Sequence, residues 1–402
     1  MSSPIKSLTV KKFPSLLSGR QKKFKTGSTE LPSGTDSARE LARALHPDFQ
    51  YLTVAEVIER APDCKSFRLI PDSNRGTKKL AYFAAGKYLT VFENINGLQV
   101  TRAYSISSSP KDSLDGKYEL TVKGVEGGAV SNYILINWTP GTEVKVSAPA
   151  GNFEYQPLRD AKTVIGLAGG SGITPFVSMA NAVADGDEDF NLILIYGSRN
   201  EDSILFKDEL DKIAAKTNKF KVVHVLSEPN NSDSDPGFEK GFITSELIKK
   251  YAPFDEPYSI FICGPQQMYN YLDNELKSLG LEKKYIRRET FGEVHNPASF
   301  SDYPSDVPDT VNVTVTICDE TKTVSGSTSD TVMQILEKQG IAVPSRCRSG
   351  ECGFCHSHLI SGKVYIPENL DYRRMADKMY DCIHPCCAFP LTDIVINVPA
   401  AK

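Results

Sequence analysis

The chain is 402 residues long, 40% hydrophobic and 24% charged, with a formal net charge of −4. This length predicts roughly two to four domains. No apolar run reaches the roughly 18 residues of a membrane span, and the near-neutral charge gives no argument for binding nucleic acid or anionic lipid. Nine cysteines are present, several of them close together near the C-terminus. In a chain this long, such clustering favours a metal site in a reducing compartment, and therefore a cytoplasmic protein, over disulfide staples.

The first fifty residues are basic, with nine Lys or Arg against four Asp or Glu, which gives +5. A basic, acid-poor start is typical of cleavable organellar presequences. Pro4 and Pro14 would interrupt an early amphipathic helix, so we favour a basic extension over residues 1–50 that contacts the rest of the chain or a partner. A short helix is predicted at Ser37–Leu45.

Residues 51–157 carry short strands separated by turn residues. The predicted strands are Tyr51–Ile58, Ser66–Ile70, Tyr88–Phe92, Thr101–Ser107, Tyr118–Val125 and Glu143–Ala148. Asp115-Gly116 and Pro140-Gly141 are turn signals between them. Regular short strands with such breaks predict a small antiparallel β-barrel.

Two segments of this predicted barrel suit a flavin. Arg102, Tyr104 and Ser105 place a cation, an aromatic ring and a hydroxyl on one strand, and a flavin offers a partner for each of these groups. By itself this R-x-Y-S pattern is also compatible with an ordinary strand. Further along, Gly127-Gly128 leads into a predicted short helix at Asn132–Ile136, and backbone N–H groups at such a turn bind phosphate.

Residues 158–292 alternate strands with helices. The predicted strands are Thr163–Leu167, Leu192–Tyr196, Val222–Val225 and Ser259–Cys263, and the predicted helices are Pro175–Asp185, Leu205–Thr217, Thr244–Tyr251 and Gln266–Leu279. Alternation of this kind predicts a doubly wound parallel α/β sheet. A glycine turn from Gly169 to Gly172 follows the first strand. It suits a pyrophosphate, although Pro175 replaces the third glycine of the G-x-G-x-x-G dinucleotide fingerprint.

A predicted linker over residues 293–310 contains three prolines and precedes a last domain over residues 311–402. This domain has a predicted helix at Thr331–Gln339 and a final strand at Asp393–Val398. Between them Cys347, Cys352 and Cys355 form C-x4-C-x2-C, the plant-type [2Fe–2S] spacing.

The fourth thiolate of such a cluster has three candidates, Cys382, Cys386 and Cys387. Structural zinc is disfavoured because zinc sites prefer paired C-x2-C segments. A Rieske-type site using His356 and His358 would need two histidines in place of two cysteines. We expect Cys64 and Cys318 to be buried as small apolar side chains.

The segment from Ser345 to Cys355 resembles the cluster loop of a β-grasp, plant-type ferredoxin, and the resemblance spans roughly residues 311–399. In that family the fourth ligand precedes a proline in a C-x3-P context, which favours Cys386 over Cys387 because Pro390 follows it. The order R-x-Y-S, G-x-V-S, G-G-S-G-I-T-P and C-G-P across roughly residues 51–291 resembles the ferredoxin–NADP reductase superfamily. The whole resembles single-chain reductases of the phthalate dioxygenase, phenylacetyl-CoA oxygenase and hybrid-cluster-protein systems.

This resemblance implies roles for individual residues. Arg102 would meet the flavin pyrophosphate, Tyr104 the isoalloxazine ring and Ser105 the flavin N5 region. The further flavin candidates are Lys123, Gly128, Val130 and Ser131. The nicotinamide nucleotide candidates are Gly170, Gly172, Thr174, Arg199, Cys263, Gly264 and Pro265. Cys263 would lie near the hydride-donating carbon, and Glu289 and Phe291 resemble the family's terminus beside the flavin.

The cofactors implied are FAD, a [2Fe–2S] cluster and NADH or NADPH. The G-x-V-S form favours FAD over FMN. Arg199 could bind the 2′-phosphate of NADPH, whereas Glu201 and Asp202 would repel it or pair with Arg199 in a solvated loop, so we favour NADH. The function implied is electron transfer from NAD(P)H through FAD and the cluster to a partner redox protein. The alternatives are a self-contained flavin-dependent reductase of a small substrate and a redox sensor.

Overall fold

A computed structural model describes residues 21–22, 25–27, 36–230, 237–290, 292 and 296–399. The segment before Ala44 forms a unit of its own. Its helix α1 (Ser37–Leu45) has the predicted bounds and no buried residue. The Asp36 carboxylate accepts N–H bonds from Ala38 and Arg39, which caps the first turn of the helix.

A six-stranded antiparallel sheet forms the first part of the main unit. Its members are β1 (Phe49–Ala61), β2 (Cys64–Pro71), β3 (Tyr88–Ile95), β4 (Leu98–Ser105), β5 (Tyr118–Lys123) and β6 (Glu143–Ser147), with helices α2 (Pro110–Leu114) and α3 (Ala129–Asn137). The strand order is β4-β3-β6-β1-β2-β5. A bridge between Ile106 and Leu120 joins the two edges, so the sheet closes on itself. Alternate side chains such as Leu52 and Val54 fill its interior.

The second part is a six-stranded parallel sheet with helices between its strands. Its strands are β7 (Thr163–Gly169), β8 (Asn191–Ser198), β9 (Phe220–Leu226), β10 (Phe238–Lys240), β11 (Tyr258–Cys263) and β12 (Ile286–Glu289), and its helices are α4 (Thr174–Asp185), α5 (Lys207–Lys216), α6 (Ser245–Tyr251) and α7 (Gln266–Lys277). The order is β10-β9-β8-β7-β11-β12. All six strands are parallel, but the order in which they are added to the sheet reverses between β7 and β11. Folds of this kind bind ligands at that position.

The third part is a five-stranded mixed sheet with order β14-β13-β19-β15-β17, together with a two-stranded pair, β16 and β18. The bounds are β13 (Thr310–Ile317), β14 (Glu320–Ser327), α8 (Val332–Lys338), β15 (Ser357–Ser361), β16 (Val364–Tyr365), α9 (Met375–Met379), β17 (Cys382–Ile383), β18 (Phe389–Pro390) and β19 (Ile394–Val398). Helix α8 packs its apolar face on this sheet, and a capping box between Thr331 and Gln334 begins it.

The predicted fold class, an antiparallel barrel, a doubly wound parallel sheet and a ferredoxin-type sheet, is confirmed. Strands β10, β12 and β14–β18 were not predicted, and several of them have only two to four residues. Part of the predicted linker packs against the third part of the chain, since the centroid of the Tyr303 ring lies 5.0 Å from that of Tyr365 on β16. In the described part of the chain, no helix combines the length and apolar character needed to cross a membrane.

The prediction that Cys318 is buried is wrong, whereas Cys64 is buried as expected. Cys318 and Asp319 form the two-residue turn between β13 and β14, since Ile317 pairs with Glu320. Both turn residues have positive φ, 49° and 68°, as a type I′ hairpin requires. A two-residue hairpin turn lies at the surface, so the Cys318 thiol is exposed.

Glu188 connects the parallel sheet to the barrel. It lies in the loop between α4 and β8, and its Oε1 accepts the backbone N–H of Ala85 at 3.1 Å. Burial raises the pKa of this carboxyl to about 7, with Glu154 and Asp187 adding repulsion. The folded protein therefore favours the protonated carboxyl, and the charged form costs stability.

We expect Glu188→Gln to raise the melting temperature at pH 8 and to leave it nearly unchanged near pH 4.5. The wild-type protein loses stability as the pH rises from about 4.5 through about 7, by up to about 3 kcal/mol, and the neutral amide does not. Thermal melts across this pH range measure the effect, with exposed Glu320→Gln as the control. Parallel pH curves for wild type and Glu188→Gln would contradict the expectation.

Candidate functional site

Four cysteine sulfurs come together beneath the loop that follows α8. The Sγ atoms of Cys355 and Cys386 are 3.4 Å apart, and the thiol of Cys347 is within hydrogen-bonding reach of those of Cys352 and Cys386. Among the described residues, no three His, Cys, Asp or Glu side chains surround a single point as one ion would require. A [2Fe–2S] cluster needs four thiolates shared between two irons, and the paired sulfurs fit that group.

Backbone N–H groups of the loop point at these sulfurs. The N–H of Cys352 lies 3.3 Å from Cys347 Sγ, and that of Phe354 lies 3.4 Å from Cys352 Sγ. The loop can wrap this closely because Gly350 and Gly353 have φ of +82° and +67°. A Cβ on Gly350 would lie 2.5 Å from the Cys387 sulfur, so any larger residue would displace the loop.

The other candidates for metal ligands make further contacts, although the Cys387 thiol also lies within hydrogen-bonding reach of Cys386. The Cys387 thiol is directed at the carbonyl of His384 at 3.5 Å, and the Cys382 thiol at that of Tyr380 at 3.6 Å. His356 and His358 are both exposed on or beside β15. Of the three downstream cysteines, Cys386 is the one whose Sγ lies 3.4 Å from Cys355 Sγ.

Strand β4 holds the three predicted flavin residues beside the cluster loop. Tyr104 packs against the barrel core, and burial raises the pKa of its phenol above the ordinary value. Ser105 is buried, and its hydroxyl has no hydrogen-bond partner among the described residues. A buried hydroxyl without a partner is rare in proteins, and a flavin ring edge would supply one. The Arg102 guanidinium is largely buried, which lowers its pKa.

The predicted phosphate turn begins helix α3 at Gly128. Gly127 has φ +68° with open space around its Cα, so a ligand can approach the backbone there. The Val130 side chain is buried in the barrel core, which leaves only its backbone for a phosphate. Lys123 is exposed at the end of β5, and its Nζ lies 3.6 Å from an oxygen of Asp63.

The two predicted nucleotide turns contact each other at the ends of β7 and β11. A Cβ on Gly172 would lie 2.2 Å from the Cys263 carbonyl oxygen. A Cβ on Gly264 would lie 2.5 Å from Met268 Sδ. Gly170, at φ +52°, faces open space. Gly172 and Gly264 are thus needed for close packing. At Gly170 the backbone is free to contact a pyrophosphate.

Cys263 and Glu289 are register partners at the ends of β11 and β12. Both are buried, and burial raises the pKa of the Cys263 thiol and of the Glu289 carboxyl well above their ordinary values. Glu351 and Cys347 of the cluster loop add repulsion at Glu289. The Tyr269 hydroxyl donates to the Glu289 carbonyl and accepts the Gly264 N–H. Phe291 lies outside the described residues.

Arg199 lies in an acidic, solvated loop. Its Nε is 3.9 Å from Glu228 Oε2, and both side chains are about three-quarters exposed. Glu201 and Asp202 instead accept hydrogen bonds from Asn230, at 2.9 and 3.0 Å. The sequence raised Glu201 and Asp202 as possible partners of Arg199, and in the structure the ion pair goes to Glu228.

The cluster loop touches the barrel directly. The hydroxyls of Thr101 on β4 and Ser345 share a buried hydrogen bond, and the Asn152 amide hydrogen-bonds Glu351. Burial and the nearby Cys347 raise the pKa of the Glu351 carboxyl to about 6. These contacts place the predicted flavin strand and the predicted cluster ligands side by side.

Three family models match the chain in this same order. They are the oxidoreductase FAD-binding domain over residues 52–155, the oxidoreductase NAD-binding domain over 167–274 and the 2Fe-2S iron-sulfur cluster binding domain over 315–391. Together they account for FAD, a nicotinamide nucleotide and a [2Fe–2S] cluster.

The relatives share this whole arrangement. The ferredoxin reductase component of 3-ketosteroid-9-alpha-monooxygenase from Rhodococcus rhodochrous is 31% identical over 85% of this chain and 94% of its own length. The chain belongs to this family of flavin and [2Fe–2S] reductases. The glycine betaine monooxygenase reductase subunit of Pseudomonas aeruginosa is 28% identical, over 85% and 93%. Phthalate dioxygenase reductase, at 24% identity, 87% and 98% coverage and a TM-score of 0.61, shares the fold.

The reductase is thus an NAD(P)H-dependent oxidoreductase that passes electrons through FAD and a [2Fe–2S] cluster to a partner redox protein. Sequence reasoning did not single out the residues that join its flavin and cluster regions, Thr101, Ser345, Glu337 and Arg348. One signal was available. An arginine between cluster cysteines, in a loop of small residues, needs a buried anionic partner, and Glu337 on the preceding helix is the nearest acid upstream in the sequence.

We expect Cys386→Ser to lose the iron and the visible absorbance of the cluster while keeping bound flavin, because serine does not replace the thiolate within this sulfur group. Cys382→Ser is the matched control and should keep about two irons per chain. Iron analysis and absorbance spectra of the purified proteins measure both. Full iron content in Cys386→Ser with loss in Cys382→Ser would reassign the fourth ligand.

Proposed function

We propose that this reductase delivers electrons to a separate oxygenase-type redox enzyme. The observation that carries the proposal is the position of the sulfur group. Cys347 interacts electrostatically with Glu289, and both Cys347 and Cys352 interact with Tyr88. Cys352 is also only half-buried, and Phe354, two residues further on, is exposed. A cluster held by these cysteines would lie between the proposed flavin site and the surface. The two curated relatives described above are named as reductase parts of monooxygenases, which supports this class of acceptor.

Within this function, we propose roles for the residues of the flavin site. Arg102 binds the pyrophosphate, Tyr104 covers the isoalloxazine ring, and the buried Ser105 hydroxyl meets the N5 region. The proposal extends to a phosphate site made by Gly128, Val130 and Ser131 at the start of α3, with Lys123 nearby. Glu289 and Phe291 would complete the site beside the flavin.

Gly170, Gly172, Thr174 and the Cys263-Gly264-Pro265 turn are proposed to bind the nicotinamide nucleotide. The Thr174 hydroxyl already donates to the Ser171 carbonyl at 3.2 Å, which holds the turn closed. FAD held by the flavin residues would supply the conversion of a two-electron hydride from the nicotinamide into single electrons for a [2Fe–2S] cluster. Cys347, Cys352, Cys355 and Cys386 are the proposed ligands of that cluster.

We propose further that the chain works in a reducing compartment such as the cytoplasm. All nine cysteines are free of disulfides, and free thiols of this kind persist where glutathione and thioredoxin keep proteins reduced. The proposed division of the chain is a basic extension over residues 1–50, an FAD-binding barrel over 51–157, an NAD(P)-binding domain over 158–292, a linker over 293–310 and a [2Fe–2S] domain over 311–402.

Anaerobic stopped-flow mixing with NADH tests the electron path. We expect the flavin absorbance to bleach first and the cluster absorbance to follow in the wild-type protein. Cys352→Ser should bleach its flavin at the wild-type rate but no longer reduce a protein acceptor, because the flavin site is intact and the cluster is absent. Cys382→Ser should behave as wild type.

The same experiment separates the alternatives. Undiminished turnover of a small substrate by Cys352→Ser would indicate a self-contained flavin reductase. A flavin that neither NADH nor NADPH bleaches would indicate a sensor.

NADH is the proposed nucleotide. Glu201 and Asp202 follow Arg199 in the loop after β8, and Glu228, which follows β9, pairs with Arg199. We expect this excess of negative charge to repel the 2′-phosphate of NADPH. We expect Glu201→Gln/Asp202→Asn to raise kcat/KM for NADPH by about tenfold, equivalent to about 1.4 kcal/mol, while that for NADH changes little. Steady-state kinetics with both nucleotides measure the ratio, and exposed Glu320→Gln is the control. A wild-type preference for NADPH would refute the assignment.

A further inference from the structure

Glu337 occupies an electrostatically unfavourable position. It lies in the last turn of α8, where the helix dipole disfavours a carboxylate, and its side chain is only 13% exposed. A buried carboxylate there needs cationic partners to remain charged. The structure provides two guanidinium groups from different parts of the molecule.

The first guanidinium belongs to Arg348 in the cluster loop. Its Nη1 and Nη2 donate to the two Glu337 oxygens at 2.6 and 2.7 Å, a bidentate pair. Arg348 is fully buried, with φ +61°. It is also close enough to Cys355 and Cys386 for electrostatic interaction with their sulfurs. Glu337 therefore holds the loop that carries the proposed cluster ligands.

The second guanidinium belongs to Arg102 on strand β4. Arg102 and Glu337 interact electrostatically across the boundary between barrel and ferredoxin-type sheet. Thr101, the residue before Arg102, hydrogen-bonds Ser345 of the cluster loop. Strand β4 thus meets the ferredoxin-type part of the chain at two points, at the cluster loop through hydroxyls and at α8 through charges.

Strand β4 is an edge strand of its sheet. Ile106, directly after β4, bridges to Leu120 of β5, but no strand of the described sheet pairs with the outward edge of β4 itself, and such edges are usually covered or blocked by other elements. Thr101, in the middle of β4, is buried. The cluster loop, which bonds Thr101 through Ser345, covers this part of the strand.

We propose that Glu337 is a positioning residue that joins Arg102 of the flavin strand to Arg348 of the cluster loop and so fixes the separation of the two redox groups. This inference rests on the proposed roles of Arg102 at the flavin and of the four cysteines at the cluster. Glu337 acts through the two arginines and is not among the residues proposed to bind the flavin or the cluster. By holding Arg102 in place, Glu337 allows helix α8 of the ferredoxin-type part to help position the flavin site.

The test uses the full-length holoenzyme and three variants. Glu337→Gln removes the charge at constant size, Glu337→Asp keeps the charge on a shorter side chain, and Asp330→Asn removes another acid beside the same helix, one paired with Lys338 at 2.6 Å. Three properties are measured: amide hydrogen exchange of peptides covering β4, the cluster midpoint potential, and the rate of cluster reduction after flavin reduction by NADH.

We expect faster exchange in β4 of Glu337→Gln, although the substitution is on helix α8 and outside the sheet that contains β4. The cluster potential should rise, because one negative charge near the sulfurs is lost. A displacement of about 1 Å in a positioned group can cost on the order of 10²-fold in rate, so we expect cluster reduction to slow by at least about tenfold while flavin reduction is unchanged. Glu337→Asp should be intermediate, and Asp330→Asn should match wild type.

Wild-type exchange in β4 together with a wild-type rate in Glu337→Gln would overturn the inference. A potential shift without faster β4 exchange would also overturn it, because the role would then be internal to the ferredoxin-type sheet. If Glu337→Gln fails to retain iron, Arg102→Gln decides from the other side: faster exchange in the 345–355 loop supports the inference, and unchanged exchange overturns it. Failure of the wild-type cluster to accept electrons would instead refute the proposed function, and the exchange results would still stand.

Discussion

The buried hydrogen bond between Thr101 and Ser345 joins the strand of the flavin residues to the loop of the cluster ligands. Electron transfer between two groups requires them to be close together and held at a fixed distance. The barrel and the ferredoxin-type sheet each supply one of the two segments that meet here. The barrel presents β4 at its edge, and the ferredoxin-type sheet presents the cluster loop after α8. Both hydroxyls are buried, so each needs a hydrogen-bond partner, and each provides one for the other. The contact therefore fixes the position of the cluster loop along β4.

The parallel sheet adds a third element to the same place. Its β7 and β11 end where the order of strands reverses, and the Gly172 turn packs directly on the Cys263 carbonyl. The last strand, β12, ends at Glu289, whose carboxyl interacts electrostatically with Glu351 and Cys347 of the cluster loop. Nucleotide turn, flavin strand and cluster loop therefore converge, although they are far apart in sequence.

Prediction from the sequence succeeded where local patterns carry the information. The helix at Ser37–Leu45 has its predicted bounds, and the long strands such as β7 and β8 were found because apolar runs mark buried strands. It failed for short strands such as β10, β16 and β18, whose two or three residues are held by pairing partners distant in the chain. The prediction for Cys318 failed for a similar reason. Its exposure follows from its position in a hairpin turn, whereas the prediction used only the apolar character of a cysteine side chain.

The sequence by itself determined the cofactor chemistry. Cysteine spacing indicates a [2Fe–2S] loop, and glycine turns after apolar strands indicate phosphate sites, because these groups require particular residue types at fixed intervals. Only the tertiary structure shows that Cys386 Sγ lies 3.4 Å from Cys355 Sγ, that Arg199 pairs with Glu228, and that Glu337 binds Arg348 while interacting electrostatically with Arg102. These are contacts between segments far apart along the chain, and their distances depend on how the sheets pack rather than on any local pattern.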